Sequence, residues 1–248
     1  MSDFYFHGAA AVVTFLLAGF VKGVIGLGLP TVAMGLLSLF LAPVEAAALM
    51  IVPSFATNLW QAVAGPHFRS VLRRLWTMML GICVGTALAA GMLTGAGGSL
   101  AVAGLGAALT LYALLGLSKV KFSVPRRAER WLSPLAGVIT GLVTGATGVF
   151  VIPSAPYIQA LDMDRDRLVQ AFGLSFTVST VALAAALAAD GSYRPSAAGA
   201  SFLALAPAAA GMLAGQWLRA RVSAAAFRLC LFGALLLLGL HLMLRPWI

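Results

Sequence analysis

The chain has 248 residues, 61% hydrophobic and only 9% charged, with a mean hydropathy of +1.00. Soluble domains carry roughly a quarter charged residues, so most of this chain belongs in a bilayer, and disorder or a collagen-like repeat is excluded. The net charge of +9 is scattered between apolar runs, where Lys and Arg set membrane orientation; the expected partner is the lipid bilayer, and no nucleic acid is expected.

The first residues, MSDFYFHGAA, hold an aspartate and no basic cluster, so no cleaved signal peptide is expected. The first apolar segment, 8–41, is too long for one crossing, since a spanning helix needs about 20 residues. GLGLP at 26–30 interrupts it, and Lys22 lies deep within it. A lysine at that depth costs roughly 2.5–3.5 kcal/mol on insertion scales and by default faces a cavity or a partner. Two accounts stay open: a structural charge, or a contact to a transported anion. Pro30 suits the first turn of a helix, so a short second helix is expected from Pro30–Thr31.

Helix 45–65 follows. It carries Ser54, Thr57, Asn58 and Gln61 at i, i+3, i+4 and i+7, a polar stripe on one face. After a basic loop at 66–74, spans are expected at 75–94 and 98–117, then a basic linker, KVKFSVPRRAER (119–130). The second long segment, 131–161, is interrupted by TGATG at 144–148, which supplies Thr144, Gly145, Thr147 and Gly148. A second short helix is expected near Gly148–Val149. Spans at 167–189, 197–218 and 224–244 complete the chain; the first carries Ser175 and Ser179, with Gln170 and Thr177 nearby. Cys83 and Cys230 fall in apolar segments and are expected to be small core residues, neither a disulfide nor a metal pair.

The two long segments are alike. Gly19-x-x-x-Gly23 matches Gly137-x-x-x-Gly141, PSFATN (53–58) matches LSFTVS (174–179), and Glu45 matches Asp166. For these four glycines close helix packing is the favoured role; Gly81/Gly85 and Gly211/Gly215 share the spacing with no function assigned. The chain therefore divides into a first repeat (1–118), a cytoplasmic linker (119–130) and a second repeat (131–248). If the basic loops 66–74, 119–130 and 219–228 are all cytoplasmic, parity requires each broken segment to be a hairpin, entering from the outer face in the first repeat and from the cytoplasm in the second. The expected fold is an all-α polytopic membrane protein of two inverted repeats, each a broken-helix hairpin plus three transmembrane helices. About eight spans would be counted, with both termini outside.

Helix N-termini carry free N–H groups and partial positive charge, which favour anions. An anion held between two glycine-rich tips near the midplane would meet Lys22, Gly26, Gly28, Pro30, Thr31, Asn58, Thr144, Gly145, Thr147, Gly148 and Ser175. Ser54, Thr57, Gln61, Gln170 and Ser179 would line the path; such stripes also serve simply to hold helices together. No H-E-x-x-H, G-x-S-x-G or Walker A pattern is present, so no enzyme activity, metal, cofactor or ATP motor is expected.

GFVKGVIGLGLPTVAMGLL, PSFATNLWQ and GLVTGATGVFVIP resemble the sulfite exporter TauE/SafE family of bacterial membrane permeases, over about residues 10–245. Gly19, Gly23, Gly26 and Gly28 match its first motif, and Gly137, Gly141, Gly145, Gly148 and Pro153 its second. The family's G-G-G cluster is thinned here to Gly28-Leu29-Pro30 and Ala146-Thr147-Gly148, which bears on the particular anion. The resemblance implies a permease of the inner membrane for sulfite, organosulfonates or related sulfur-containing or carboxylate anions. An anion channel and a non-transporting anchor subunit are the alternatives.

Overall fold

The structure, a computed structural model, describes residues 2–95, 98–118, 122–193, 195–219, 221 and 223–247. The first three residues of the expected linker, 119–121, lie outside the described residues. Among the described residues the chain is helical throughout, with no strand: α1 (Ser2–Ile25), α2 (Leu29–Leu37), α3 (Pro43–Val63), α4 (Phe68–Ala89), α5 (Gly91–Thr94), α6 (Gly98–Leu117), α7 (Arg126–Thr147), α8 (Ser154–Gln159), α9 (Arg165–Ala189), α10 (Pro195–Arg219) and α11 (Ala224–Leu244), closed by a 3-10 turn at Arg245–Trp247.

Among the described residues seven helices are long and apolar enough to cross a membrane: α1, α3, α4, α6, α9, α10 and α11. The eighth expected span, α7, is not among them. Arg126, Arg127, Glu129 and Arg130 occupy its first turns, and threonines and glycines dilute its last ones. The loop expected at 66–74 is also shorter than anticipated. Arg69, Arg73 and Arg74 sit in the first two turns of α4, because long arginine stems can lie along an apolar helix while the charge stays at the interface.

Both broken segments fold back on themselves. The His7 ring near the start of α1 stacks on Phe40, just past α2, with centroids 5.8 Å apart. In the second segment the Val124 N–H, just before α7, donates to the Ala160 carbonyl just after α8, at 2.9 Å. Each segment thus leaves beside the point where it arrived. Their short arms are the most enclosed parts of the molecule: every residue of α2 except Leu36 is buried, as are Val149–Ile152. Irregular backbone at membrane depth is tolerated only inside protein or against a water-filled cavity, and the eight long helices form that enclosure.

Glycines set how the long helices meet. A Cβ at Gly19 or Gly23 would strike the α10 backbone at Ala208 or Met212, and one at Gly211 or Gly215 would strike α1 at Leu16 or Phe20. The same exchange joins Gly137 and Gly141 of α7 to Met78 and Ile82 of α4, and Gly81 and Gly85 to Pro134 and Val138. The packing role expected for the four repeat glycines therefore holds, and the two GxxxG pairs left without a function are their partners. Residue numbers rise together across both contacts, so α1 runs parallel to α10 and α4 to α7. In contrast α3 and α9 are antiparallel, Gly65 meeting Gln170 and Gly173 meeting Gln61 and Ala62; so are α6 and α11, Gly106 meeting Met243 and Gly116 meeting Phe232. With these directions the ends of α3, α6 and α10 share one face with the starts of α4, α7, α9 and α11.

Pro53 interrupts α3, because a proline has no N–H for the carbonyl four residues back. That carbonyl, Leu49 O, instead accepts from the Ser201 hydroxyl of α10 at 2.7 Å, and the Val52 N–H donates to the same hydroxyl at 3.0 Å. Two expectations are corrected here. Cys83 and Cys230 are exposed on the outer surface of the bundle rather than in its core. The second short helix begins at Ser154, not near Gly148–Val149. Val149, Val151 and Ile152 are β-branched, and Ile152 precedes a proline, which pushes it out of the helical region.

Candidate anion-binding site

Lys22 lies in the last turn of α1, which Gly26 and Gly28 end with φ of 87° and 105°. Only glycine adopts such angles at little cost, so the break is written into the residues themselves. Lys22 is 4% exposed. Its Nζ donates to Thr57 Oγ1 at 3.1 Å and to Asn58 Oδ1. The Thr57 hydroxyl proton goes to the Pro53 carbonyl at 2.7 Å, so toward Lys22 it can only accept. An ammonium has three protons; among the described residues two of them are matched, both by neutral oxygens.

No carboxylate answers this charge. Glu45, Asp162, Asp164, Asp166 and Asp190 sit exposed at helix ends, and Glu129 is engaged with Arg74 at 2.7 Å. Asp3 is 19 residues back on the same helix, about 28 Å at 1.5 Å per residue. Asn58, which accepts from Lys22, leaves its own Nδ2 buried and with no acceptor among the described residues. Thr31 Oγ1, Ser54 Oγ, Ser175 Oγ and Ser179 Oγ are likewise buried with no hydrogen-bond partner among the described residues, as are the hydroxyls of Ser38, Thr86, Thr110 and Thr140 elsewhere in the bundle. Asn58 and Ser54 lie on α3 one turn apart, Ser175 and Ser179 one turn apart on the antiparallel neighbour α9, and Thr31 in the first turn of α2, where Pro30 also sits. Native proteins leave few buried polar atoms unpaired, so an open amide donor beside a buried lysine describes a place for an acceptor.

Other expected lining residues are committed elsewhere. Gln61 donates to Gly26 O at 2.9 Å and to Val169 O at 3.1 Å, which pins the first break to α3 and α9. Gln170 donates to Ala62 O and Gly65 O and accepts from the His67 N–H, closing the α3–α4 turn. The hydroxyl protons of Thr144 and Thr147 go to Thr140 O and Val143 O, one turn back in their own helix. Gly145 is a close-approach glycine, 2.7 Å from Thr86 O for a Cβ. Gly148, at φ 72°, lies beneath Met34, whose sulfur would be 3.1 Å from a Cβ there.

These contacts also place the breaks. Gly26 is level with Gln61, two residues from the end of α3, whereas Gly148 meets Met34 and Thr147 meets Gly104, near the start of α6. The tips therefore pass one another, with α2 between them, rather than facing tip to tip at the midplane. An arm of 24 residues reaches about 36 Å, more than the roughly 30 Å hydrocarbon core, so each tip overshoots the centre. Two clefts, of about 470 and 460 Å³, open where the hairpins return; one is lined by Ser38, Phe40 and Arg245, the other by Ser70, Arg74, Arg126 and Arg167, and Lys22 lines neither.

The model of the sulfite exporter TauE/SafE family matches residues 11–242. The chain belongs to the TauE/SafE family. Both breaks, the lysine and all or most of each long helix fall within the match, and membership makes the chain a multi-pass membrane transporter of anions. A search of curated proteins and one of solved structures find no match. What carries the anion is thus argued from this TauE/SafE chain's own residues. Asn58, an expected site residue, turns out to be the acceptor that holds Lys22; the role of Ser201 in mending the α3 ladder had no signal in the sequence beyond Pro53 itself.

Proposed function

We propose that the chain is a secondary transporter of small sulfur-containing or carboxylate anions, sulfite and organosulfonates foremost, and that the anion binds at Lys22. One observation carries this reading: a buried lysine within a membrane-spanning helix whose partners among the described residues are all neutral, beside the unpaired amide donor of Asn58. An intramembrane charge is costly and marks a pathway by default. The third Lys22 proton, Asn58 Nδ2, and the hydroxyls of Thr31, Ser54, Ser175 and Ser179 are the proposed ligands, with the N–H groups of the first turn of α2 adding positive potential. Gly26, Gly28, Pro30, Gly145 and Gly148 act through backbone shape. Thr57 holds the lysine; Gln61, Gln170, Thr144 and Thr147 fix the breaks.

The same reading takes 1–118 and 131–248 as inverted repeats joined by a cytoplasmic linker. It is supported by the two hairpins, by the exchanged glycine contacts, and by basic residues gathered at the α3–α4, α6–α7 and α10–α11 connections on one face. With that face cytoplasmic, the chain lies in a bacterial inner membrane with both termini outside. A carrier is favoured over a channel because Lys22, Asn58 and Thr31 are sealed from both faces. The glycine contacts tie α1 to α10 and α4 to α7, so the helix pairs taken to move together each draw one helix from each repeat. Moving a monoanion out of an inside-negative cell gains about 2.3 kcal/mol per 100 mV, which favours export without a coupling ion.

Flux of sulfite and methanesulfonate into proteoliposomes, with native protein and Lys22→Gln at matched reconstitution, tests the proposal. Saturable flux lost in the variant is the expected result. Equal flux in both removes Lys22 from the pathway.

A further inference from the structure

We propose that this site selects the charge state of its cargo, carrying singly charged anions and rejecting doubly charged ones of the same shape. The inference rests on the reading of Lys22 as the anion contact and adds a rule about substrate class. It follows from counting charges. Lys22 is the one cation of α1, α2 and α3, and α6 has none. On α9 the cations are Arg165 and Arg167, exposed in its first turn, before Gln170, which already sits at the end of α3. The other described arginines, in the opening turns of α4 and α7, at the end of α10 and on α11 and the closing turn, are exposed, apart from Arg74, which is paired with Glu129.

Every other proposed ligand is neutral. A monoanion against Lys22 makes a pair of zero net charge, and the hydroxyl and amide donors then satisfy its remaining lone pairs. A dianion leaves one negative charge buried with no partner. Neutral donors lower that penalty but do not remove it, because an isolated ion loses far more hydration than a few hydrogen bonds restore. Buried Met34, Phe150 and Phe176 lie on the hairpins and α9 that enclose the region, and they offer a second charge nothing. The site has no acidic residue either, so a proton cannot be brought in to neutralise the cargo by a carboxylate of the site.

The test uses the full chain in proteoliposomes and two probes of nearly equal size and shape, methanesulfonate (charge −1) and sulfate (charge −2), at matched concentration and ionic strength. Sulfite is measured as the pH is lowered and hydrogensulfite replaces the dianion, with methanesulfonate, whose charge stays constant, as the control for the protein's own pH response. The expected result is methanesulfonate flux at least a hundredfold above sulfate flux, and sulfite flux that rises relative to methanesulfonate in proportion to the hydrogensulfite fraction. Sulfate flux within a few-fold of methanesulfonate overturns the charge rule while leaving anion transport in place. No flux of any of the three, in protein shown to be folded and monodisperse, overturns the transport reading and the charge rule with it.

Discussion

Replacing Gly81 by alanine probes the tightest kind of contact in the fold. An added Cβ would stand 2.6 Å from the Pro134 carbonyl oxygen and 2.9 Å from the Val138 nitrogen, both backbone atoms that no rotamer change can move. Ordinary contact begins near 3.4 Å, so α4 and α7 must part by about 0.8 Å. A gap of 0.5–1 Å forfeits a quarter to a half of the dispersion energy of each atom pair it affects, and overpacking a close contact costs typically 1–3 kcal/mol. Against this, alanine gains about 1 kcal/mol over glycine in helix propensity. Gly233→Ala in α11 isolates that gain, because a Cβ there meets nothing within 4 Å. Gly81→Ala should therefore lie about 1–3 kcal/mol below Gly233→Ala in stability, or roughly 2–12 °C in midpoint at 2–4 °C per kcal/mol. Thermal unfolding in detergent, followed by the loss of the monodisperse peak, reads the difference. If the two variants shift together, the glycine contacts do not set the helix spacing and the argument fails.

Asn58→Asp would give Lys22 an internal carboxylate, so flux should fall at least tenfold while the fold is kept; Lys22→Met should lose flux to the same extent, and transport by Asn58→Asp at the native rate would refute the site. Ser201→Ala leaves Leu49 O without a donor and should cost about 1–3 kcal/mol, whereas in a Pro53→Ala background, with the N–H restored, the same change should cost much less; an unaltered cost in the double-mutant cycle counts against the repair role. Arg74 and Glu129 form a two-toothed pair at 2.9 and 2.7 Å, partly exposed, with Arg74 also bonded to Leu161 O; single glutamine variants should each lose about 1 kcal/mol after allowing for solvent, and the double variant less than the sum. The Asp164 carboxyl, capping α9, is held below its usual range by the Arg167 N–H. A depressed folded pKa adds stability above the unfolded value that is lost as pH falls through the folded one, so stability should drop on acidification in native protein and not in Asp164→Asn.

Much of the fold was legible because bilayer chemistry constrains it. Apolar runs of the right length must be helices, and basic loops on one face require the two long segments to be hairpins. The breaks were legible too, since Gly26, Gly28 and Gly148 adopt positive φ. Partner choice was less so. Four GxxxG pairs look alike in sequence, and nothing local says that Gly19 meets Ala208 rather than a nearer neighbour. The depth of the tips is not local information: it follows from the 24-residue reach of α1 against the thickness of the membrane. The role of each polar stripe also depended on partners far away in the chain: Asn58 and Gln61 are three residues apart, yet one faces a charge and the other closes a carbonyl. Hydroxyls such as Thr144 and Thr147 can serve their own helix, and only the geometry around them decides.

The pairing of α1 with α10 has a consequence for how the protein is made. Ala208 is synthesised about 190 residues after Gly19, an interval of roughly 10–40 s at 5–20 residues per second. Throughout it the glycine face of α1 has only lipid to meet. Lys22 is relieved much sooner, since Thr57 and Asn58 arrive within the next 36 residues. The nascent chain therefore hides its charge early and its groove late, and a ribosome stalled before α10 would leave a half-assembled bundle whose first helix is held chiefly by the polar contacts of its own hairpin and α3. The last long helices to be made are the ones that fasten the first in place.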